Sequence, residues 1–296
     1  MTIAVALVSG EPQGKAAPAS LSQSLVALGM PHLTAYGLSE TWLLKELGHR
    51  HWQLIAQASG LPRAMFRDRA GDTVYAAFCG VTVLDGRLDT VCEHDDLLIA
   101  SDIARVSRTQ FASRHSLSCG GRALGHVEML SVFVKRDAVG ENRSIVRVAV
   151  EGLASMPLVP DFSTLTSRVP MLRRGEWTEH LGFRTDAAPM REATMVLPCP
   201  SQDFNGAGLL YFSSFQAAVD RVEWETFGSR YPALTTVSRE IVYQGNVNIG
   251  EPIAIALRGL RETAERLDHW YRVTAASSGR VLADVFSSRA QANCMT

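Results

Sequence analysis

Gly29-Met30-Pro31-His32, continued by Gly37-Leu38-Ser39-Glu40-Thr41-Trp42-Leu43-Leu44-Lys45-Glu46-Leu47-Gly48 and His51-Trp52, has a counterpart later in the chain. That counterpart is Asp203-Phe204-Asn205-Gly206-Ala207-Gly208-Leu209-Leu210-Tyr211-Phe212-Ser213-Ser214-Phe215, closing with Trp224. Each segment leaves a Gly-rich loop, enters an apolar helix at a Gly-Leu step and ends near a tryptophan. Ser39 is a suitable N-cap for a helix in which Trp42, Leu43, Leu47 and Leu54 recur at helical spacing. Gly48 and His49-Arg50-His51 predict a bend or break in it. The second helix is expected from Leu209 to about Trp224, with Phe215, Val219 and Val222 on one stripe and Asp220, Arg221 and Glu223 facing away.

Strand signals follow each helix. Val74–Leu84, Leu97–Val106 and Val127–Lys135 are rich in β-branched and apolar residues. After the second helix come Thr235–Tyr243, Pro252–Leu260, Trp270–Ala275 and Val281–Phe286, with Gly245-Asn246 and Ser278-Gly279 as turns; Arg191–Leu197 reads as a leading strand. Pro157, Pro160 and Pro170 mark a linker. The chain therefore divides into a lead-in (1–28), a first unit (29–155), a linker (156–190) and a second unit (191–296). Helix plus strands, twice, implies an α+β double hot dog, in which each long apolar helix is wrapped by a curved antiparallel sheet. Another α+β fold with coincidental Gly-Leu steps is the alternative.

Bulk composition narrows the function. The 296 residues carry a formal charge of −1 with no block of like charges, so no basic face for nucleic acid is visible. The densest cationic cluster, Arg173-Arg174 flanked by Arg168 and Arg184, has Glu176 and Glu179 nearby and reads as solvated surface, phosphate binding being the lesser alternative. Five scattered cysteines form no disulfide framework or zinc motif. No apolar run is long enough to span a membrane, and Met1–Ser9 lacks the features of a signal peptide. A cytoplasmic protein is expected, without metal or tightly bound cofactor.

The quoted runs, with Tyr243–Asn246, resemble a double hot-dog family encoded in polyketide biosynthetic clusters and similar to the leinamycin-pathway bifunctional acyltransferase/decarboxylase. The match touches roughly residues 28–85 and 200–250. The resemblance implies transfer of a malonyl- or methylmalonyl-type group from coenzyme A, with decarboxylation, to an acyl carrier protein. It also implies a tyrosine nucleophile on the strand after the first helix, where this chain has Tyr75.

The chemistry sets its own demands. Decarboxylation of such a thioester puts negative charge on the carbonyl oxygen, which fixed N–H donors stabilise. The free N–H groups of a helix start supply them. Gly37, Leu38 and Ser39 in the first half, and Asn205, Gly206, Ala207, Gly208, Leu209 and Tyr211 in the second, are the candidate substrate-binding residues. Turning the chain is the simpler role for these glycines. A phenol with pKa near 10 is ionised to only about one part in a thousand at neutral pH, so Tyr75 would need activation; a plain packing tyrosine is the alternative. Asp203 is the second catalytic candidate. It precedes Gly208 at about the spacing found in hot-dog thioesterases, but Leu209 stands where their histidine would be, so a loop cap is also open. His32 lies in the first loop, within reach of a thioester. His49, His51 and His126 read as surface or packing residues. A thioesterase using Asp203 as base, and a non-catalytic carrier-binding protein, remain as alternatives; monomer and homodimer are both compatible.

Overall fold

The structure is a computed structural model that describes residues 21–138, 140–150, 153 and 156–292. The lead-in 1–20 and the end of the first unit at 151, 152, 154 and 155 lie outside the described residues. The first unit comprises strand β1 (Leu21–Ala27), helix α1 (Glu40–Ala58) and strands β2 (Thr73–Leu84), β3 (Asp96–Arg105), β4 (Gln110–Cys119) and β5 (Arg122–Arg136). Helix α2 (Leu165–Arg174) connects it to the second unit. That unit comprises β6 (Thr194–Val196), α3 (Phe212–Phe227), β7 (Leu234–Tyr243), β8 (Ile253–Glu262), β9 (Arg266–Ala275) and β10 (Val281–Gln291).

The strands form one antiparallel sheet in the order β1-β3-β4-β5-β2-β7-β10-β9-β8-β6. Its two halves read identically outward from the β2–β7 seam, where Val81 faces Ile241 and Gly80 faces Val242. Even the short outer strands correspond, β1 on β3 and β6 on β8. The chain is an α+β double hot dog. Helices α1 and α3 pack together over one face in a shared core that includes Leu43, Leu47, Phe215, Val219, Val81 and Ile241. On the other face α2 lies across the seam, with Leu165 and Val169 over Gly80.

Several local expectations change. Residues 21–27 form an edge strand rather than irregular lead-in. The linker holds a ten-residue helix despite Pro170, stopped by Gly175 in the left-handed region. Gln110–Cys119 is a strand that the sequence reading passed over. Helix α1 does not break at Gly48. That glycine is buried, and a Cβ there would come 2.8 Å from the Phe212 ring, so its smallness sets the approach of the two helices. Helix α3 begins three residues after Leu209, and Glu223, expected on its outer face, is buried.

Candidate active site

A cavity of about 300 Å³ opens where the two units meet. Its walls come from Trp52 on α1, Tyr75–Cys79 on β2, Val132 and Val134 on β5, the Asn142–Arg147 segment, the loop entering α3, and Tyr243–Asn246 at the end of β7. Tyr75 is half-buried on the wall and cross-strand from Val134. The Trp52 ring lies 6.4 Å from it, fixed by an indole N–H donating to the Ala76 carbonyl at 3.1 Å. Among the described residues, no hydrogen bond engages the Tyr75 hydroxyl.

The loop before α3 is held from both units. Asn205 Oδ1 accepts the Ala207 and Leu209 N–H groups at 3.0 and 3.1 Å, an Asx turn, and Gly208 takes the left-handed conformation (φ +68°) needed to close it. Arg136 donates to the Ala207 carbonyl and Asn142 to that of Gly208 at 2.8 Å. Asn246 brackets Leu210, accepting its N–H and donating to its carbonyl, both at 2.9 Å. The Ala207 and Leu209 N–H groups are thus engaged and cannot serve an oxyanion. The free donors lie at the helix start, where Phe212 and Ser213 occupy the first two positions and Tyr211 supplies no side-chain cap. Phe212 lines the cavity. Its ring packs at a tilt of 52° against Phe78, centroids 4.3 Å apart, and, with Phe215 and Tyr243, closes the floor.

The other predicted residues divide sharply. Asn205, Leu209 and Tyr211 line the cavity, while Gly206, Ala207 and Gly208 form the turn behind it. Asp203 is not on the wall. Its carboxylate accepts the Cys199 N–H at 2.7 Å and its carbonyl accepts from Tyr211 N–H and the Ser214 hydroxyl, which is a turn-capping role. His32 lies elsewhere, with Nδ1 accepting the Gly29 N–H at 2.8 Å and its ring edge-on to Trp42. Gly37-Leu38 pairs with Leu33-Thr34 in a small hairpin, and a Cβ at Gly37 would come 2.2 Å from the Leu88 carbonyl oxygen. Ser39 caps α1 through the Trp42 N–H at 3.2 Å. The first-half loop is therefore scaffold, and its residues do not join those around Tyr75.

Sequence reasoning missed the basic residues of the wall. Arg143, Arg147, Arg173 and Arg280 all reach this cavity, and no Asp, Glu or His is among its described lining residues. Only Arg173 belonged to the cluster noted in the sequence, which the fold disperses: Arg174 pairs with Glu176, Arg168 with Glu240 and Arg184 with Asp186. Burial raises the pKa of the Tyr211 and Tyr243 phenols, opposite to what a nucleophile needs. Burial likewise raises the Cys79 thiol, though Arg173 and Arg147 pull against it. Among the described residues no group of three or more His, Cys, Asp or Glu could hold a metal ion, and no helix is long and apolar enough to cross a membrane.

No protein-family model matches the chain, and no curated protein matches its sequence. Solved structures do resemble it over nearly the whole length. A putative oleoyl thioesterase from Lactobacillus plantarum superposes with a TM-score of 0.66 at 13% identity, covering 93% of this chain and 97% of its own. An acyl-ACP thioesterase from Bacteroides thetaiotaomicron gives 0.61 at 10% identity (91% and 97%), and a 12:0-ACP thioesterase from Umbellularia californica 0.59 at 12% (92% and 94%). At these identities the likeness establishes the double hot-dog fold.

Proposed function

We propose that the protein cleaves acyl thioesters in this cavity, with Tyr75 as the acyl-accepting nucleophile. The observation that carries the reading is the juxtaposition, in one cavity, of an unengaged phenol hydroxyl and the uncapped start of α3. The phenolic oxygen adds to the acyl carbon to give an oxyanion, which collapses with cleavage of the C–S bond, and the phenol proton leaves with sulfur as free thiol. The Phe212 N–H, at the cavity wall, is the candidate donor for the oxyanion that forms between these events. Water then cleaves the aryl ester, releasing a carboxylate and a proton and restoring the phenol. Coenzyme A and carrier-protein thioesters are the substrate class, since both present an acyl group on a pantetheine thiol. The thioesterase names of the three similar structures favour water as final acceptor.

One observation supports a second ending. No carboxylate or imidazole is among the described wall residues to activate water, and Asp203 is committed to its turn. A second thiol, already a good nucleophile, would take the acyl group without such a base. This is the acyltransferase/decarboxylase reading: a malonyl-type group loses carbon dioxide, its electrons pass into the thioester enolate, and the enolate takes up a proton.

Intact-protein mass spectrometry after incubation with acetyl-, malonyl- and methylmalonyl-coenzyme A tests both. An acyl adduct present in wild type and absent in Tyr75→Phe is expected, with free thiol released. Adduct turnover in buffer alone identifies hydrolysis; turnover only after adding a second thiol identifies transfer. Thiol release undiminished in Tyr75→Phe would remove the proposal.

A further inference from the structure

The arginines of the cavity come from three separate stretches of chain: Arg143 and Arg147 after β5, Arg173 near the end of α2, and Arg280 in the turn before β10. Arg143, Arg147 and Arg280 are exposed and Arg173 half-buried, whereas Phe78, Phe212, Phe215 and Tyr243 lie deeper, so the cations form the mouth and the rings the floor. Tyr75 and Arg147 are both cross-strand neighbours of Val134 and so project from the same face of the sheet. Their backbones are about 10 Å apart, two inter-strand spacings.

This mouth is not neutralised from within. Arg143 pairs with Glu251 and lies 3.7 Å from Glu141. Among the described residues, Arg147 and Arg173 have no carboxylate partner, and Arg280 makes no ion pair, feeling the Glu141 carboxylate only at longer range. Arg280 donates to the Asn246 carbonyl at 2.6 Å and Arg173 to that of Tyr243, which fixes both guanidiniums without cancelling their charge. The Arg173 Nε–H is buried with no acceptor. Convergent guanidiniums with unspent donors are the chemistry that recognises phosphate.

We infer that the mouth binds the phosphate groups of free coenzyme A, so that the protein selects a coenzyme A thioester over the arm of a carrier protein. This rests on the thioester reading and specifies its substrate. The charge balance makes the choice: the diphosphate and 3′-phosphate of coenzyme A bring roughly four negative charges at neutral pH, whereas a carrier-protein arm brings one phosphodiester. Two arginines without a carboxylate partner, and a third opposed only at longer range, exceed what a single phosphodiester requires. Arg147 and Arg280, at the rim, meet the adenosine-side phosphates, and Arg173 lies nearest the pantetheine end.

Calorimetric titration with coenzyme A, dephospho-coenzyme A, 4′-phosphopantetheine and pantetheine, on wild type and the Arg147→Gln/Arg280→Gln variant, tests it without requiring turnover. Wild type is expected to bind coenzyme A at least about tenfold tighter than pantetheine, with 4′-phosphopantetheine in between and the preference shrinking as salt rises. The variant should compress the series to within about threefold while keeping its melting temperature and its pantetheine affinity. Equal affinity for coenzyme A and pantetheine, or a preference that survives both substitutions, overturns the inference. Equal affinity for coenzyme A and 4′-phosphopantetheine also overturns it, because one phosphate would then be all that is read and a carrier-protein arm would suffice. The binding series and the Tyr75 adduct fail independently: an intact series with no adduct removes only the catalytic proposal, and an adduct with a flat series removes only this one.

Discussion

The two helix starts occupy matching places in a duplicated fold and have opposite contents. Phe212 is the first residue of α3, and it packs on Gly48, the ninth of α1, and on Phe78, the sixth of β2. Glu40 is the first residue of α1. It pairs at 2.8 Å with Arg239, the sixth of β7, which also holds Asp220, the ninth of α3, at 2.8 Å. Three positions that make an aromatic floor in one copy make an ion triad in the other, which Arg289 extends at 3.8 Å from Glu40 and 3.7 Å from Asp220. The third residue of each strand follows suit: Tyr75 stands on the cavity wall, while Thr236 donates its hydroxyl to Glu40 at 2.5 Å. Duplication thus supplied two possible sites. One keeps a helix start whose N–H groups face no charge of its own; at the other a carboxylate from the first turn already answers the dipole.

Tyr75→Phe is expected to remove the acyl adduct, a loss beyond about 100-fold in thiol release, whereas Thr236→Ala leaves both unchanged. Wild type should carry one acyl group per chain, as read by intact mass. A second adduct would mean that the ion triad opens to substrate.

Next in size is the triad itself. Arg239→Met removes the closer of the two cations shared by Glu40 and Asp220, leaving them only Arg289 at 3.8 and 3.7 Å, and is expected to cost about 3 kcal/mol in denaturant unfolding. Arg147→Met at the open site removes an exposed guanidinium with no carboxylate partner and should stay within about 0.5 kcal/mol. Copying the Phe-Gly-Phe arrangement into the second site, Glu40→Phe with Asp220→Gly and Arg239→Phe, should cost less than Arg239→Met alone, since both carboxylates leave with the cation and Arg289 keeps Glu223. A larger loss would show that the fold depends on the charges and not merely on their mutual compensation.

The units differ again at the twelfth residue of each helix, which meets the fourth residue of a neighbouring strand. In the first unit His51 Nδ1 bonds the Ser113 hydroxyl at 2.7 Å, within a buried chain Ser131–His51–Ser113–His115–Ser101. In the second, Glu223 pairs with His269. Burial lowers the pKa of His51 to about 3, helped by His115, and that of His115 to about 3, helped by Arg50. Below pH 6.5 the unfolded chain takes up protons that the folded state refuses, so stability falls as pH falls, until the folded values near 3 are passed. At pH 5 the loss is about 2 kcal/mol per histidine. Glu223 behaves differently: burial opposes its ionisation, but Arg289 and the His269 bond outweigh this and lower its pKa, so its contribution holds above about 4.5 and fades only below. Unfolding free energy measured between pH 7 and 5 should therefore decline, and His115→Gln should remove about half of the slope. An unchanged slope would show that His115 does not contribute to the acid sensitivity.

Much of this was legible in the sequence, for identifiable reasons. The Ser39 cap and the spacing of Leu43, Leu47 and Leu54 located α1, and the runs at 74–84 and 127–135 located central strands, because local pattern and tertiary burial agree there. Helix α2 was hidden by Pro170, and the start of α3 by Gly208-Leu209, whose turn delays the helix to Phe212. Tyr75 and the Asn205–Tyr211 loop were both picked out, but their meeting depends on the β2–β7 seam, a contact between units that no local signal encodes. The arginines of the mouth were hidden as a group for the same reason, since three stretches far apart in sequence converge only after folding; Arg173 alone was noted, in a cluster that reads as solvated surface with phosphate binding as the lesser alternative. Ion pairing at Glu40 was equally hidden, because a glutamate in a first turn reads as an ordinary exposed dipole partner.

The smallest effect tests the floor. Gly48→Ala gains about 1 kcal/mol of helix propensity, and its Cβ would press on the outer edge of the Phe212 ring at 2.8 Å. In a closed core, overpacking of that kind costs about 1–3 kcal/mol and would win. Here the ring borders a cavity of about 300 Å³ and has somewhere to go. The expected outcome is a melting temperature within a few degrees of wild type, with the floor displaced and the affinity for acyl thioesters reduced more than that for free coenzyme A. A large loss of stability would mean that Phe78, Tyr211 and Tyr243 pin the ring, making the floor as rigid as the ion triad it replaces. A gain in stability with unchanged binding would mean that the ring does not limit the space offered to the acyl group.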